Sequence, residues 1–277
     1  MSVPLLELED VRKHYVLGNR MLDRLAGRRR ELLALDGVSL IVREGEVLGL
    51  VGESGSGKST LAHVAVRLIG LTAGRLKYRG EDLTAKDGRA LRPFRERVQI
   101  VFQDTGSSLN PRKTIGRTLR EALAMRGVAR PGRAAQTVKL LDLVGLADFV
   151  LSRYPHQLSG GQRQRVAIAR SLAMQPEFLV ADEPVASLDV SLQAQIINLL
   201  LKLRAELGLT LLFISHDLAL VNHISTRVAV MYAGRVVEEG LPREVLGGPA
   251  HPYTRALLSA VPRGLAGRRA PREPVPG

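Results

Sequence analysis

Cysteine is absent from the 277-residue chain, which removes disulfides, Cys-ligated zinc, iron–sulfur clusters and a thiol nucleophile from consideration. Tryptophan is also missing, and aromatic residues amount to 4%. No aromatics interleave with the basic residues to form stacking platforms for bases. No apolar run approaches the length of about 18 residues that marks a membrane-spanning helix. The N-terminal stretch MSVPLLELEDVRKHY carries charges where a secretory signal needs an apolar core, so no signal peptide is expected and a cytoplasmic location is.

Acids are in short supply: 27 Asp+Glu stand against 40 Lys+Arg, a formal charge of +13, and 33 of the basic residues are Arg. Nucleic-acid phosphates, an anionic membrane face or an acidic partner would each suit this charge. An Arg-favouring genome would produce it too, so charge alone selects none of them. Apolar residues at 45% and charged residues at 24% are ordinary for a soluble globular chain. At about 100–200 residues per domain, the length allows one large domain or two small ones, with a core that needs no covalent staples.

Leu5–Val11 alternates as a strand, and Val38–Val42 is a second short run ending at the turn Glu44-Gly45-Glu46. Between them, Gly18–Arg30 is polar and Arg-rich and reads as an inserted loop or short helix. Val47–Val51 is continuously apolar, as suits a strand buried on both faces. A strand at Val98–Phe102 follows, and from Pro111 to about Leu158 the pattern turns helical, with a break at Pro131-Gly132. Alternation then resumes with a helix around Gln162–Met174, a strand Phe178–Ala181, a helix Leu192–Leu207 and a strand Thr210–Ile214. A hairpin, Val228–Met231 and Arg235–Glu238, turns at Ala233-Gly234. Such alternation implies a mainly parallel sheet with helices on both faces. Gly264–Gly277 is rich in Arg, Pro and Gly and is expected to be disordered.

The segment Gly52-Glu53-Ser54-Gly55-Ser56-Gly57-Lys58-Ser59-Thr60 fits G-x-x-x-x-G-K-[ST] between a buried strand and an apolar-periodic stretch. Glycines there let successive N–H groups and a helix N-terminus face phosphates. Lys58 supplies a point charge to β/γ oxygens, and Ser59 offers a hydroxyl to Mg²⁺. Such a loop needs a carboxylate for the metal. Phe178–Ala181 ends in Asp182 and Glu183, where open α/β sheets place their ligands. Asp182 is the expected Mg²⁺ partner, and Glu183 is placed to polarise an attacking water.

Leu158-Ser159-Gly160-Gly161-Gln162 opens a second anion-suited helix start, with Ser159 as N-cap and Arg163 and Arg165 as charge-assisting neighbours. One phosphate loop with two phosphate-suited helix starts makes most sense across a dimer. Gln103 and His216 each follow a strand and reach toward the same sheet edge.

These elements, in this order and spacing, resemble the ATP-binding-cassette (ABC) ATPases over about Leu5 to Leu258. The implied fold is α/β: a P-loop NTPase cassette with a mainly parallel sheet core, an antiparallel β subdomain and an inserted helical subdomain at about 105–160. ATP and Mg²⁺ are the implied cofactors. By this resemblance Tyr15 stacks on adenine, Gly52 through Thr60 are the Walker A loop, and Gln103 is the Q-loop glutamine near Mg²⁺. Ser159, Gly160, Gly161 and Gln162 are the signature that closes on the partner's ATP. Asp182 is the Walker B carboxylate, Glu183 the catalytic glutamate and His216 the γ-phosphate sensor. Asp189 is the D-loop aspartate at the dimer interface.

Within the family, Phe102-Gln103-Asp104, Ser107 to Arg112, Tyr154-Pro155-His156-Gln157, Asp189 to Gln195 and His251-Pro252-Tyr253-Thr254 are similar to importers of oligopeptides, dipeptides and nickel. Thr105 stands where these importers usually carry Pro, and Val185-Ala186 where Thr-Ser is usual. The Gly18–Arg30 insert resembles the second of the two ATPases that such systems often carry, and 237–263 a C-terminal extension of oligopeptide-transporter type. The resemblance implies an ATPase subunit at the cytoplasmic face of the cell membrane. Its partners would be integral membrane permease subunits, met near Gln103–Arg126, a second cassette, identical or related, and indirectly a substrate-binding protein. The alternatives are nickel import or, in another class, a soluble ABC ATPase acting on nucleic acid or ribosomes. Those generally carry coiled coils, zinc hooks or two cassettes, and this chain has one cassette, no heptad run and no Cys. No nucleic acid is therefore expected as a partner.

Overall fold

The structure, a computed structural model, describes residues 4–17, 30–103 and 108–260. Residues 18–29 of the Arg-rich insert, Asp104, Thr105 and Ser107, and the whole expected tail lie outside the described residues.

The chain opens with two long antiparallel strands, β1 (Pro4–Leu17) and β2 (Arg30–Arg43). There follow β3 (Val47–Val51), α1 (Lys58–Ala65), β4 (Ala73–Tyr78), β5 (Glu81–Asp82), α2 (Arg92–Arg97) and β6 (Val98–Val101). Three helices come next: α3 (Ile115–Met125), α4 (Arg133–Leu143) and α5 (Gly160–Leu172). Then β7 (Phe178–Asp182), α6 (Val190–Leu207), β8 (Thr210–Ile214) and α7 (Leu218–Ile224) alternate. β9 (Arg227–Tyr232), β10 (Arg235–Gly240), α8 (Pro242–Val245) and α9 (Pro252–Ser259) complete the described chain.

A six-stranded sheet runs in the order β10-β9-β3-β8-β7-β6, parallel throughout except for the β9–β10 hairpin. Every residue of β3, β7 and β8 is buried, as the continuous apolar runs predict. The hairpin turn has Ala233 at φ 47° and Gly234 at φ 78°, the positive angles that a tight two-residue connection demands. A second sheet, β2-β1-β4-β5, is antiparallel.

The period of two in the strands divides the interior into two cores. Leu48, Leu50, Val180, Leu212, Ile214 and Met231 face α1 and the antiparallel sheet. Their neighbours Val47, Val51, Leu179, Leu211, Phe213 and Val230 face α3 to α7. Helices therefore lie on both faces as expected, and the expected antiparallel subdomain shares one of those faces with α1. Burying the whole apolar face of β1 and β2, with Leu6, Leu8, Val38 and Leu40, requires that second layer.

α3 begins at Thr114, whose side chain accepts from Arg117 N, and it buries Ile115, Leu119, Ala122 and Leu123. That spacing places them on one helical face, which packs with α4 and α5 in the second core. β4 was not anticipated. Only Leu76 and Tyr78 of its six residues are buried, so its alternation is carried by two positions opposite Leu8 and Leu6.

Candidate functional site

The Gly-rich loop leaves β3 and runs directly into α1 at Lys58. Gly52 has φ 149°, and a Cβ there would stand 2.2 Å from the Met231 carbonyl. Gly57 has φ 104°, and a Cβ would stand 2.6 Å from the Ala34 carbonyl. Only glycine serves at either position. Gly57 caps α1 without a side chain, leaving the first-turn N–H groups of the helix for other acceptors.

Lys58 is buried, and its Nζ donates to the carbonyls of Gly52 (2.8 Å) and Glu53 (2.7 Å). The ammonium therefore bridges the loop that it follows. Burial pushes its pKa down, against the opposing pull of the Glu183, Asp182 and Glu53 carboxylates.

Parallel pairing brings the end of β7 beside that loop. Ser59 Oγ donates to Asp182 Oδ1 at 3.2 Å, and Asp182 is buried. Burial raises the Asp182 pKa, while the Ser59 hydrogen bond counters the rise. Glu183 has φ 47°, and its N–H donates to Ile214 O on β8 at 3.0 Å. A left-handed backbone at a non-glycine residue costs on the order of 1–3 kcal/mol and persists only where its surroundings enforce it. The Glu183 Oε2 atom lies 3.3 Å from His216 Nδ1. His216 follows β8, and its side chain is exposed.

Gln103 is exposed two residues beyond β6 and lines a cavity of about 520 Å³ together with Ser59, Asp182 and Arg170. Arg170 was not singled out from the sequence. It donates to Ser108 O at 2.5 Å, and burial lowers its pKa. Nothing in its helical position distinguishes it from other arginines; only the approach of α5 to β6 gives it a place in the cavity. Tyr15 lies on β1 opposite Leu32, with Lys13 Nζ 5.3 Å from its ring centroid.

Ser159 and Gln162 form a reciprocal cap at the start of α5. The Ser159 side chain accepts from Gln162 N at 3.2 Å, and Gln162 Oε1 accepts from Ser159 N at 3.0 Å. A Cβ on Gly160 would lie 3.1 Å from Leu188 Cδ2, and one on Gly161 3.2 Å from Leu192 Cδ2. These glycines thus allow close approach of the segment that leads into α6, which Asp189 caps by accepting from Leu192 N at 2.9 Å. Arg163 and Arg165, the expected charge-assisting neighbours, have partners within the helical layer. Arg163 donates to Leu158 O, and Arg165 to Val144 O and Gln195 Oε1, holding the helical layer together. Among the described residues, no hydrogen bond or ion pair joins 52–60 to 159–162.

Residues 35–186 match the ABC transporter family. A Brucella abortus (strain 2308) protein named "Putative peptide import ATP-binding protein" is 49% identical over 275 residues, covering 99% of this chain and 80% of that protein. A Brucella ovis protein of the same descriptive name is 47% identical over 262 residues, covering 94% and 80%. Among solved structures, an ATP-binding cassette in a dimeric post-hydrolysis state with ADP and Pi superimposes with a TM-score of 0.75 at 30% identity, covering 86% of this chain and 99% of the other. cbiO1 from Clostridium perfringens, part of the ABC transporter complex cbiONQ, gives a TM-score of 0.75 at 28% identity, covering 88% and 91%.

Proposed function

The chain belongs to the ABC transporter family of ATPases, and from that premise we propose that it is the ATP-hydrolysing subunit of a membrane importer whose cargo is peptides. The observation that carries this reading is a convergence at one sheet edge: Lys58 over the Gly-rich loop, the Ser59–Asp182 pair, and the Glu183–His216 pair. The cassette spans 5–258, with its helical insert at about 105–160 and a C-terminal extension at 237–263.

In this reading Gly52 to Thr60 hold the ATP phosphates, and the Lys58 ammonium moves from the loop carbonyls to the β/γ oxygens. Tyr15 stacks on the adenine. Glu183 accepts a proton from the attacking water, and His216, within reach of Glu183, senses the γ-phosphate. Ser159 to Gln162 and Asp189 serve the nucleotide of a partner cassette.

The residues present fit Mg²⁺. A hydroxyl and a carboxylate 3.2 Å apart, with the Gln103 amide on the same cavity, are hard oxygen donors. Among the described residues no group of three or more His, Cys, Asp or Glu is assembled, and a cation held largely by nucleotide phosphates needs no such cage. When bound, the ion supplies charge neutralisation on the phosphate oxygens.

Among the described residues no helix is long and apolar enough to cross a membrane. Integral permease subunits supply the crossing, and this chain sits peripherally at their cytoplasmic side, meeting them near Gln103–Arg126. A substrate-binding protein delivers the cargo to those permeases. The test is uptake into proteoliposomes that contain the chain, its partner cassette and the permeases encoded beside it, with the substrate-binding protein supplied on the cargo side. Peptide uptake that requires ATP and stops with Glu183→Gln is expected. ATP-driven nickel uptake without peptide uptake would overturn the assigned cargo.

A further inference from the structure

The motif His251-Pro252-Tyr253-Thr254 has no place in the nucleotide chemistry derived so far, yet it touches the phosphate loop. The N–H of Glu53, the second residue of that loop, donates to the Tyr253 hydroxyl at 2.9 Å across 200 residues of sequence. The Tyr253 ring lies 4.2 Å from the ring of Tyr232, tilted by 33°. Tyr232 closes β9, whose Met231 carbonyl confronts Gly52, and the next hairpin residue but one, Gly234, donates to Ser56 O at 2.9 Å.

The segment bearing Tyr253 is itself tied down. Glu238 on β10 accepts from the N–H groups of Ala250 (2.8 Å) and His251 (3.1 Å). His251 Nδ1 then accepts from Tyr253 N at 3.1 Å and caps α9, with Pro252 in the first turn, where a missing N–H is harmless. Each residue of the motif's first three thus has a task in delivering one hydroxyl to one loop amide.

We propose that Tyr253 is a positioning residue for the phosphate loop, and that α9, strapped to β10 by Glu238, sets nucleotide affinity through it. A Gly-rich loop is conformationally permissive, so ordering it on binding costs entropy. Grips at Glu53 and Ser56 impose that order beforehand. The Glu53 N–H held by Tyr253 is occupied, so the contact shapes the loop and leaves the α1 N–H groups to the ligand. This inference rests on the reading of 52–60 as the nucleotide cradle.

The test uses the full chain and Tyr253→Phe, which keeps the ring against Tyr232 and deletes only the hydroxyl. ADP is titrated with Mg²⁺ by calorimetry, ATP hydrolysis is followed at varied ATP, and the nucleotide-free protein is melted. Loss of one such hydrogen bond predicts ADP affinity and KM worse by about three- to tenfold, with kcat within about twofold and Tm nearly unchanged. An unchanged or tighter Kd overturns the proposal, as does a weakened Kd accompanied by a large fall in Tm. In a Glu238→Ala background Tyr253→Phe should add little, because the strap acts as a unit; fully additive losses also overturn it. Lys58→Ala separates the two readings. Wild-type ADP affinity in Lys58→Ala removes the cradle assignment itself. A weakened Lys58→Ala beside an unaffected Tyr253→Phe removes only the role of Tyr253.

Discussion

Ser59 and Asp182, 123 residues apart, share a 3.2 Å hydrogen bond from hydroxyl to carboxylate. The bond joins the first turn of α1 to the C-terminal end of β7, so two oxygen donors from different elements already occupy one corner of the site. Burial raises the Asp182 pKa and Ser59 opposes the rise, so the hydroxyl also helps to keep the carboxylate ionised for a cation. Ser59→Ala removes one donor and that support. The Mg²⁺ concentration giving half-maximal hydrolysis should rise by about tenfold or more. Hydrolysis measured across a Mg²⁺ series at fixed ATP checks this, and an unshifted midpoint would remove Ser59 from the cation site.

Glu183 stands next in the chain, and its left-handed backbone separates its carboxylate from that of Asp182 by turning it toward His216. Glu183→Gln preserves size and cannot accept a proton from water. Turnover should fall by about 10²–10⁴-fold while ATP affinity stays within about twofold. Equilibrium binding and steady-state hydrolysis on the same preparation decide the matter. Near wild-type hydrolysis would transfer the water-polarising role elsewhere.

Continuous apolar runs made β3, β7 and β8 legible, because a strand covered on both faces is apolar along its interior, with polar Asp182 and Thr210 only at strand ends. α3 was legible for the complementary reason, with Ile115, Leu119, Ala122 and Leu123 at helical spacing. β4 and the short helices α7 and α9 were not. One to three buried residues each carry too little periodicity, and their placement comes from pairing with β1 for β4, packing on β3 for α7, and docking on the hairpin for α9. At the site, the motif marked the Gly-rich loop and the paired acids, both local in sequence. Contacts across long separations escaped, namely Arg170 at the cavity and Tyr253 on Glu53 N. The carbonyl partners that Arg163 and Arg165 find within their own lobe escaped as well.

Away from the site, Glu177 binds the two sheets to each other. Its carboxylate accepts from Arg79 Nε and from the Tyr78 hydroxyl, each at 2.9 Å, with Arg97 3.8 Å away. Burial pushes its pKa up, but the hydrogen bonds from Arg79 and Tyr78 outweigh that and hold it below the ordinary value. A carboxylate whose folded pKa is depressed contributes stability above its unfolded pKa of about 4.3, and loses it as pH falls through the folded value. Glu177→Gln should therefore lower Tm at pH 7. The gap from wild type should shrink at a pH below the unfolded value. The side chain is 38% exposed, so solvent screening limits the effect to about 1 kcal/mol. Melting curves at the two pH values test it, and a gap that persists unchanged in acid would mean that packing, not charge, is at work.

The Ser159–Gln162 cap and the Lys58 loop belong to different parts of one chain, and no hydrogen bond or ion pair joins them among the described residues. α5 is instead engaged on its own side by Leu188 and Leu192 against Gly160 and Gly161. A helix start with small residues and a hydroxyl cap, close to the aspartate that caps α6, suits a phosphate presented from outside the subunit. The similar solved cassette bound to ADP and Pi is a dimer. Two such chains, head to tail, would place each loop opposite the partner's Ser159, with nucleotide filling the gap and cementing the pair. Hydrolysis removes that cement, so the dimer should be most persistent where hydrolysis is blocked. Glu183→Gln with ATP should shift mass toward a dimer in multi-angle light scattering, and the nucleotide-free protein should remain monomeric. If the native arrangement is a pair of different cassettes, the same shift appears only when the partner cassette is added. Ser159→Arg should then abolish hydrolysis and dimerisation while leaving ADP affinity of the monomer within about twofold, because its site lies on the other subunit's nucleotide. Normal hydrolysis by Ser159→Arg, alone and in the assembled transporter, would rule out a shared site.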